Sequence, residues 1–367
     1  MVILRADGLN KKYKNKSILE DVSFEIKSGT FSVIFGPPGC GKSVLLRVLS
    51  GLEKPDSGKV FLRGEDVTNV ISGDRNIGYV PQAFALYPHY TVYDNIAYPL
   101  KLVRESKRRI AEEVDRVAKM LRITHLLNKY PDQLSGGEKQ RVALARGITK
   151  KTELYFLDDP LSGLDFKLRE QLFDDLKDLR ERLGATFVYT TSDPLEALIL
   201  ADEIFILDEK TVKEHGETEN VYYNPQYVGT SKLLCFPESN IFEGKIRKEG
   251  DTYICNTDLF EFPVEVKDEI ESDVDVLVSV KPQNIIINEK PEARAIEIDG
   301  KLILTEDLGG ELVLHIEVKD TLLVSVLRYE EVAKSQKEAL RVFIPVNEIH
   351  VFMASTGMRI GQGGAYA

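Results

Sequence analysis

The sequence predicts an α/β domain built on a mostly parallel sheet, carrying a helical insert and followed by a separate all-β domain. Three observations predict it. The stretch "TFSVIFGPPGCGKSVLLRVLSGL" reads as a buried strand, a glycine-rich turn and a helix. A second strand–helix–strand unit begins at Leu154: "LYFLDDP" is an apolar run ending in acids, and "ATFVYTTS" is another strand. Between them, "FKLREQLFDDLKDLRERLG" carries apolar residues at 168, 172, 176, 179 and 183, the three- and four-residue steps of an amphipathic helix, and Gly184 stops it. After about residue 230, short alternating runs such as "DVDVLVSVKPQNIIINEK" and "TLLVSVLRYEEV" are broken by turn residues, an all-β signature.

These patterns set the organisation. A first domain spans residues 1–232 with a helical subdomain at about 88–153, where no comparable strands occur, and a β domain spans 233–367. The final "GQGGAYA" is expected to be disordered at its end.

Composition limits the function classes. The 367 residues are 43% hydrophobic and 29% charged, with a formal net charge of −11. That sign disfavours a general nucleic-acid binder, which neutralises phosphates with excess Lys and Arg. No apolar stretch approaches the roughly 20 residues that span a bilayer, and "MVILRADGLNKKYKNKS" lacks the apolar core of a secretion signal. Cys40, Cys235 and Cys255 are odd in number and widely spaced, as reduced cytosolic thiols are. His89 and His125 have no neighbours at metal-ligand spacing, and basic "RESKRR" reads as a solvated helix face.

The octapeptide "GPPGCGKS", Gly36 to Ser43, fits G-x-x-x-x-G-K-[ST] in full between a predicted strand and helix. Its glycines (Gly36, Gly39, Gly41), with Pro37, Cys40 and Val44 around them, let backbone N–H groups approach phosphate oxygens. Lys42 is expected to reach the β- and γ-phosphates of ATP, and the Ser43 hydroxyl to ligate Mg²⁺.

Three further stretches identify the family. "LSGGEKQRVALARG" from Leu134 resembles the signature of ABC-type ATPases, "LSGLD" at 161 their D-loop, and Gln82 in "YVPQAFALYPHYTVYDNI" their Q-loop. The resemblance implies a RecA-like ATPase fold in which two subunits sandwich two nucleotides, the P-loop of one meeting the signature of the other. It assigns Ser135, Gly136, Gly137 and Gln140 to the partner's nucleotide, Tyr13 to stacking on adenine, and Asp158, with Ser43 and Gln82, to Mg²⁺. "ALYPH" after Gln82, and "VSVKPQNI" with Lys281 in place of a usual arginine, are similar to the carbohydrate-importer branch and its oligonucleotide-fold-like regulatory domain; "LTEDLGGELVLHIEV" and "IPVNEIHVFMASTGMRI" match loosely. The branch implies two transmembrane permease subunits docking near residues 82–89, an extracytoplasmic solute-binding protein, a location at the cytoplasmic face of the cell membrane, and a sugar or polyol as solute, with glycerol, polyamine and iron as alternatives. A soluble ABC protein without a permease is disfavoured by the single ATPase domain, the acidic balance and the β domain.

Two positions depart from the family. After the Walker B aspartate Asp158 the family carries a glutamate that polarises the attacking water; here stands Asp159. The switch histidine after the next strand is Ser192, in "TTSDPLEAL". The shorter acid retracts its carboxylate by about 1.5 Å, and a misplacement of about 1 Å can cost about 100-fold. Serine lacks the reach and charge of an imidazole. The expectation is impaired hydrolysis at this chain's own site and a second, non-identical ATPase subunit whose site its intact signature completes; a homodimeric slow ATPase and a purely regulatory subunit are the alternatives.

Overall fold

The computed structural model describes residues 1–164, 166–328 and 339–364, and it divides into two units, Met1–Glu219 and Asn220–Ala367. Asp165 of the D-loop stretch, the run from 329 to 338 and the last three residues, to which disorder was ascribed, lie outside the described residues.

The first unit is organised by a six-stranded sheet. Its order is Thr211–Glu217, Glu203–Asp208, Phe31–Phe35, Thr186–Thr191, Leu154–Asp158 and Gly78–Val80. The last five run parallel, and only Thr211–Glu217 is antiparallel to its neighbour. Phe31–Phe35 and Leu154–Asp158 are buried at every position, as strands covered on both faces must be, so their sequences are continuous apolar runs. Helix Lys42–Ser50 buries Leu45, Leu46, Val48 and Leu49 in a core shared with Ile34, Phe156, Val188 and Phe205 of this sheet. A second, antiparallel sheet, Lys16–Lys27, Val2–Tyr13, Ser57–Leu62 and Glu65–Asp66, adds Leu4, Leu9, Leu19 and Val60 to the same core.

The helical insert contains helices Val92–Leu102, Lys107–Met120 and Gly136–Thr149. Each starts on a hydroxyl N-cap that accepts from the third residue on: Thr91 from Asp94, Ser106 from Arg109 and Ser135 from Glu138, satisfying N–H groups that a helix start leaves open. Helix Phe166–Leu183 buries Leu172, Leu176 and Leu179 of its predicted stripe.

Among the described residues, the second unit is all β apart from short helices. A closed barrel runs Asn240–Glu249, Thr252–Thr257, Glu261–Val266, Arg359–Gly363, His350–Met353 and Val274–Val280, every pairing antiparallel. A five-stranded antiparallel sheet, Ile286–Ile287, Ala339–Pro345, Ala295–Asp307, Glu311–Val318 and Thr321–Arg328, shares its core. The division between units falls after Glu219, ahead of the boundary at 232 that composition suggests. The intervening helix Val228–Leu233 is tied into the barrel: Val228 N donates to Gly357 O (2.8 Å), and the hydroxyls of Ser231 and Ser279 lie 2.7 Å apart. Lys281 is buried there, its ammonium 3.6 Å from the Tyr222 ring centroid and bonded to Tyr222 O (2.5 Å), and burial pushes its pKa down to about 8.

Leu157 is fully buried one residue before Asp158. Leu157→Ala is expected to destabilise the first unit by about 2–5 kcal/mol, read as a lower denaturation midpoint; a cost near zero would mean the strand that delivers the aspartates is not close-packed.

Candidate functional site

The phosphate loop begins where strand Phe31–Phe35 ends. At Gly36 an added Cβ would meet Leu207 O at 2.1 Å, and Gly41, the N-cap of helix Lys42–Ser50, has φ +112°. Neither position admits a side chain without moving the backbone. Gly39 also has a positive φ, Pro37 O accepts from Cys40 N (3.3 Å), and Val44 packs against the core. With no acid in its first turn, the helix start keeps its field for an anion.

Lys42 is buried and donates to three oxygens: Gly36 O (2.8 Å), Pro37 O (3.0 Å) and Ser192 Oγ (2.9 Å). Burial lowers its pKa, with Cys40, Asp159 and Asp158 opposing. The ammonium thus rests on the loop's own carbonyls, which are weaker acceptors than phosphate oxygens. Burial also pushes the Cys40 thiol up.

The two aspartates stand at the end of strand Leu154–Asp158 but face different partners. Asp158 accepts from Ser43 Oγ (2.8 Å) and Thr190 Oγ1 (2.9 Å) at Oδ1, and from Tyr79 OH (3.2 Å) at Oδ2. Asp159 has φ +44°; its N–H donates to Thr190 O and Oγ1, and its Oδ2 accepts from Gln82 Nε2 (3.0 Å). Burial raises the Asp159 pKa, and Lys42 is the main opposing influence. Its basicity is therefore kept, and what one methylene removes is reach.

The oxygens fit a hard divalent cation. Ser43 and Asp158 converge within hydrogen-bond distance, an oxygen donor pair of the kind Mg²⁺ takes with substrate phosphates. Gln82, the third expected ligand, is bonded to Asp159 and not to Asp158.

Tyr13 is 40% exposed, and its hydroxyl is held by Glu53 and by Arg47 Nη2 (3.3 Å) on the P-loop helix. Ser135 and Glu138 form a reciprocal capping box, Ser135 N donating to Glu138 Oε2 (2.8 Å). Ser135, Gly136 and Gly137 share a groove of about 330 Å³ with Gly163, Leu164 and Lys167, so the signature and D-loop stretches meet there; no P-loop residue lines it. Gln140, which the resemblance assigns to the partner's nucleotide, lies on the helix that starts at this groove. It is fully buried, and neither of its amide atoms has a hydrogen-bond partner among the described residues. It does not share the groove, because it lies three and four residues before Ala143 and Leu144 on the helix's apolar face.

Downstream of Gln82, Phe84 and Leu86 are half-buried, and Tyr87 and Tyr90 are exposed. Tyr87, Tyr90 and Tyr98 form a ring cluster with centroids 4.7 to 5.9 Å apart. Arg146 holds this ridge by donating to Ala85 O (2.6 Å) and Phe84 O (3.1 Å), and Asn95 by bonding Tyr87 and Tyr90 main-chain atoms. Tyr79, Thr190, Asn95 and Arg146 are not legible as site residues from motifs. The available signal was weak: Tyr79 precedes Gln82 by three, and Thr190 precedes Ser192 by two.

A P-loop ATPase site of this form, with a signature groove elsewhere on the same domain, defines a nucleotide-binding protein. The family model described as "ABC transporter" matches residues 19–162. The trehalose/maltose import ATP-binding protein of Thermococcus litoralis is 32% identical, over 95% of this chain and 97% of its own. The sn-glycerol-3-phosphate import ATP-binding protein of Psychromonas ingrahamii is 35% identical over 98% and 96%. The molybdate/tungstate import ATP-binding protein of Pyrococcus abyssi is 35% identical over 86% and 89%. An ATP-binding cassette solved as a dimer in a post-hydrolysis state with ADP and Pi aligns at TM-score 0.54 and 31% identity, covering 59% of this chain and 99% of that one. The chain belongs to the ATP-binding import proteins of the ABC transporter family and is an ABC-type ATPase. No helix of the described residues is long and apolar enough to cross a membrane.

Gln140→Met keeps the side-chain length and removes the unpaired amide. It is expected to stabilise the first unit by about 1–3 kcal/mol, read as a raised unfolding midpoint; a lowered midpoint would show that the amide is bonded after all.

Proposed function

We propose that this chain is the ATP-binding subunit of an importer for a sugar or polyol, peripheral at the cytoplasmic face of the cell membrane. In this reading its own P-loop site hydrolyses ATP poorly, and its Ser135–Gly137 groove completes the site of a second, non-identical ATPase subunit. The observation that carries the reading is the pair of contacts made by the two departing residues: Ser192 Oγ sits 2.9 Å from Lys42 Nζ, and Asp159 Oδ2 sits 3.0 Å from Gln82 Nε2. Both residues stand in the site, and both are shorter than the groups the chemistry calls for. Full-length similarity to import ATP-binding proteins for trehalose/maltose and sn-glycerol-3-phosphate supports the solute class.

Each residue's work follows from its surroundings. Lys42 exchanges the Gly36 and Pro37 carbonyls for phosphate oxygens. Ser43 and Asp158 hold Mg²⁺, which when bound neutralises charge on the phosphates. Tyr13 presents its ring to adenine while Arg47 and Glu53 fix its hydroxyl. Asp159 accepts a proton from water only if water comes closer than a glutamate would require, and Ser192 offers a neutral hydroxyl where charge develops. On the signature side, the N–H groups of Gly136 and Gly137 face a phosphate presented by the partner, since Glu138 already occupies the Ser135 N–H. The ridge from Gln82 to Tyr90 receives a coupling helix of one of two permease subunits, and a solute-binding protein delivers the solute outside. The β unit is the regulatory domain.

Native mass spectrometry of the complex purified through a tag on this chain tests the assembly. One copy beside a different ATPase and two permeases is the expected result, whereas two copies of this chain would overturn the asymmetric reading. The double substitution Asp159→Glu, Ser192→His is expected to raise ATP turnover at this site by about 100-fold or more. No gain would mean that these two residues are not the lesion.

A further inference from the structure

Asp158 is buried, and a buried carboxylate needs its lone pairs filled. Two hydroxyls, Ser43 and Thr190, serve Oδ1. On Oδ2 the hydrogen bond among the described residues comes from the phenol of Tyr79, at 3.2 Å. The ring of Tyr79 is half-buried against the core to which the P-loop helix contributes, in the strand Gly78–Val80 that pairs in register with Leu154–Asp158. A carboxylate can only accept, so in this contact the phenol is the donor.

We infer that Tyr79 is a positioning residue for the Mg²⁺ site: its hydroxyl fixes the plane of the Asp158 carboxylate, so that the oxygens of Ser43 and Asp158 are prearranged for the cation. This rests on the reading of the site as one for Mg²⁺ and ATP. The physics is that of an outer-shell partner. A metal-binding carboxylate held from both oxygens loses little rotational freedom when the cation arrives, while one held from Oδ1 alone swings about its Cβ–Cγ bond. A second consequence concerns the sheet. Tyr79 lies three residues before Gln82, which contacts Asp159, so the same edge strand serves both carboxylates, one through its side chain and the other through the segment that follows.

The test is ATP binding to the purified full chain, measured by calorimetry along a Mg²⁺ series that starts in chelator. Wild type should bind ATP more tightly as Mg²⁺ rises. Tyr79→Phe keeps the ring and removes the hydroxyl; it is expected to need about 10–100-fold more Mg²⁺ for the same tightening, with metal-free ATP affinity unchanged. Tyr79→Leu removes the ring as well and should show the same Mg²⁺ shift. An unshifted midpoint in Tyr79→Phe overturns the inference, and so does a shift confined to Tyr79→Leu, which would return the residue to packing alone. If wild type itself shows no Mg²⁺ dependence, it is the Mg²⁺–ATP reading of the site that fails.

Discussion

Everything at this site hangs on the in-register parallel pairing of three buried strands. Asp158 lies opposite Thr190, and Phe35 opposite Thr191, so strands Leu154–Asp158, Thr186–Thr191 and Phe31–Phe35 end at one level. In a parallel sheet the carboxyl ends of the strands share one edge, and ligands bind outside it. Here that edge carries the P-loop after Phe35, the two aspartates after Leu157, and Ser192 after Thr191. No polar side chain spans more than a few ångströms, so the contacts among Lys42, Ser43, Asp158 and Ser192 exist only because the strands are flush. The full burial of all three strands makes that alignment rigid: slipping one by a residue would reverse every inward side chain.

The departures from the family are best understood as losses of length and not of polarity. Asp159 is still acidic, and its surroundings make it a stronger base than a free aspartate. Ser192 still hydrogen-bonds Lys42. Both residues keep a polar group within the hydrogen-bond network of the site. The groove lined by Ser135–Gly137, on the other hand, keeps its glycines and its capped helix start.

Local features were legible in the sequence and cross-strand ones were not. "GPPGCGKS" encodes its own backbone path, because glycines at 36 and 41 are demanded by close approach and a left-handed turn. The helix after Asp165 announced its buried stripe through Leu172, Leu176 and Leu179. The N-terminal antiparallel sheet passed unread, because the pairing of Val2–Tyr13 with Lys16–Lys27 is interrupted by repeated register shifts that blur the alternation. The spacing of Gln140 to Ala143 and Leu144 sets it on the buried side of its helix, which its motif alone does not show. The hydrogen bonds of Tyr79 and Thr190 to Asp158 join residues 79 and 32 positions apart in the chain, beyond any local pattern. Composition changes near residue 230, while the helix Val228–Leu233, which is tied into the barrel, looks no different from what precedes it.

Thr190 holds both acids at once. Its single hydroxyl gives its proton to Asp158 and takes the amide proton of Asp159. A hydroxyl that donates and accepts in series strengthens each bond through the other. The two acids are thus electrically linked: a charge drawn to Asp158 pulls on the threonine hydroxyl, and through its oxygen on the peptide that carries Asp159. Energies measured at one acid will not simply add to those measured at the other. In thermodynamic terms, whatever binds at one acid and whatever binds at the other form one linked equilibrium, with a threonine as its link.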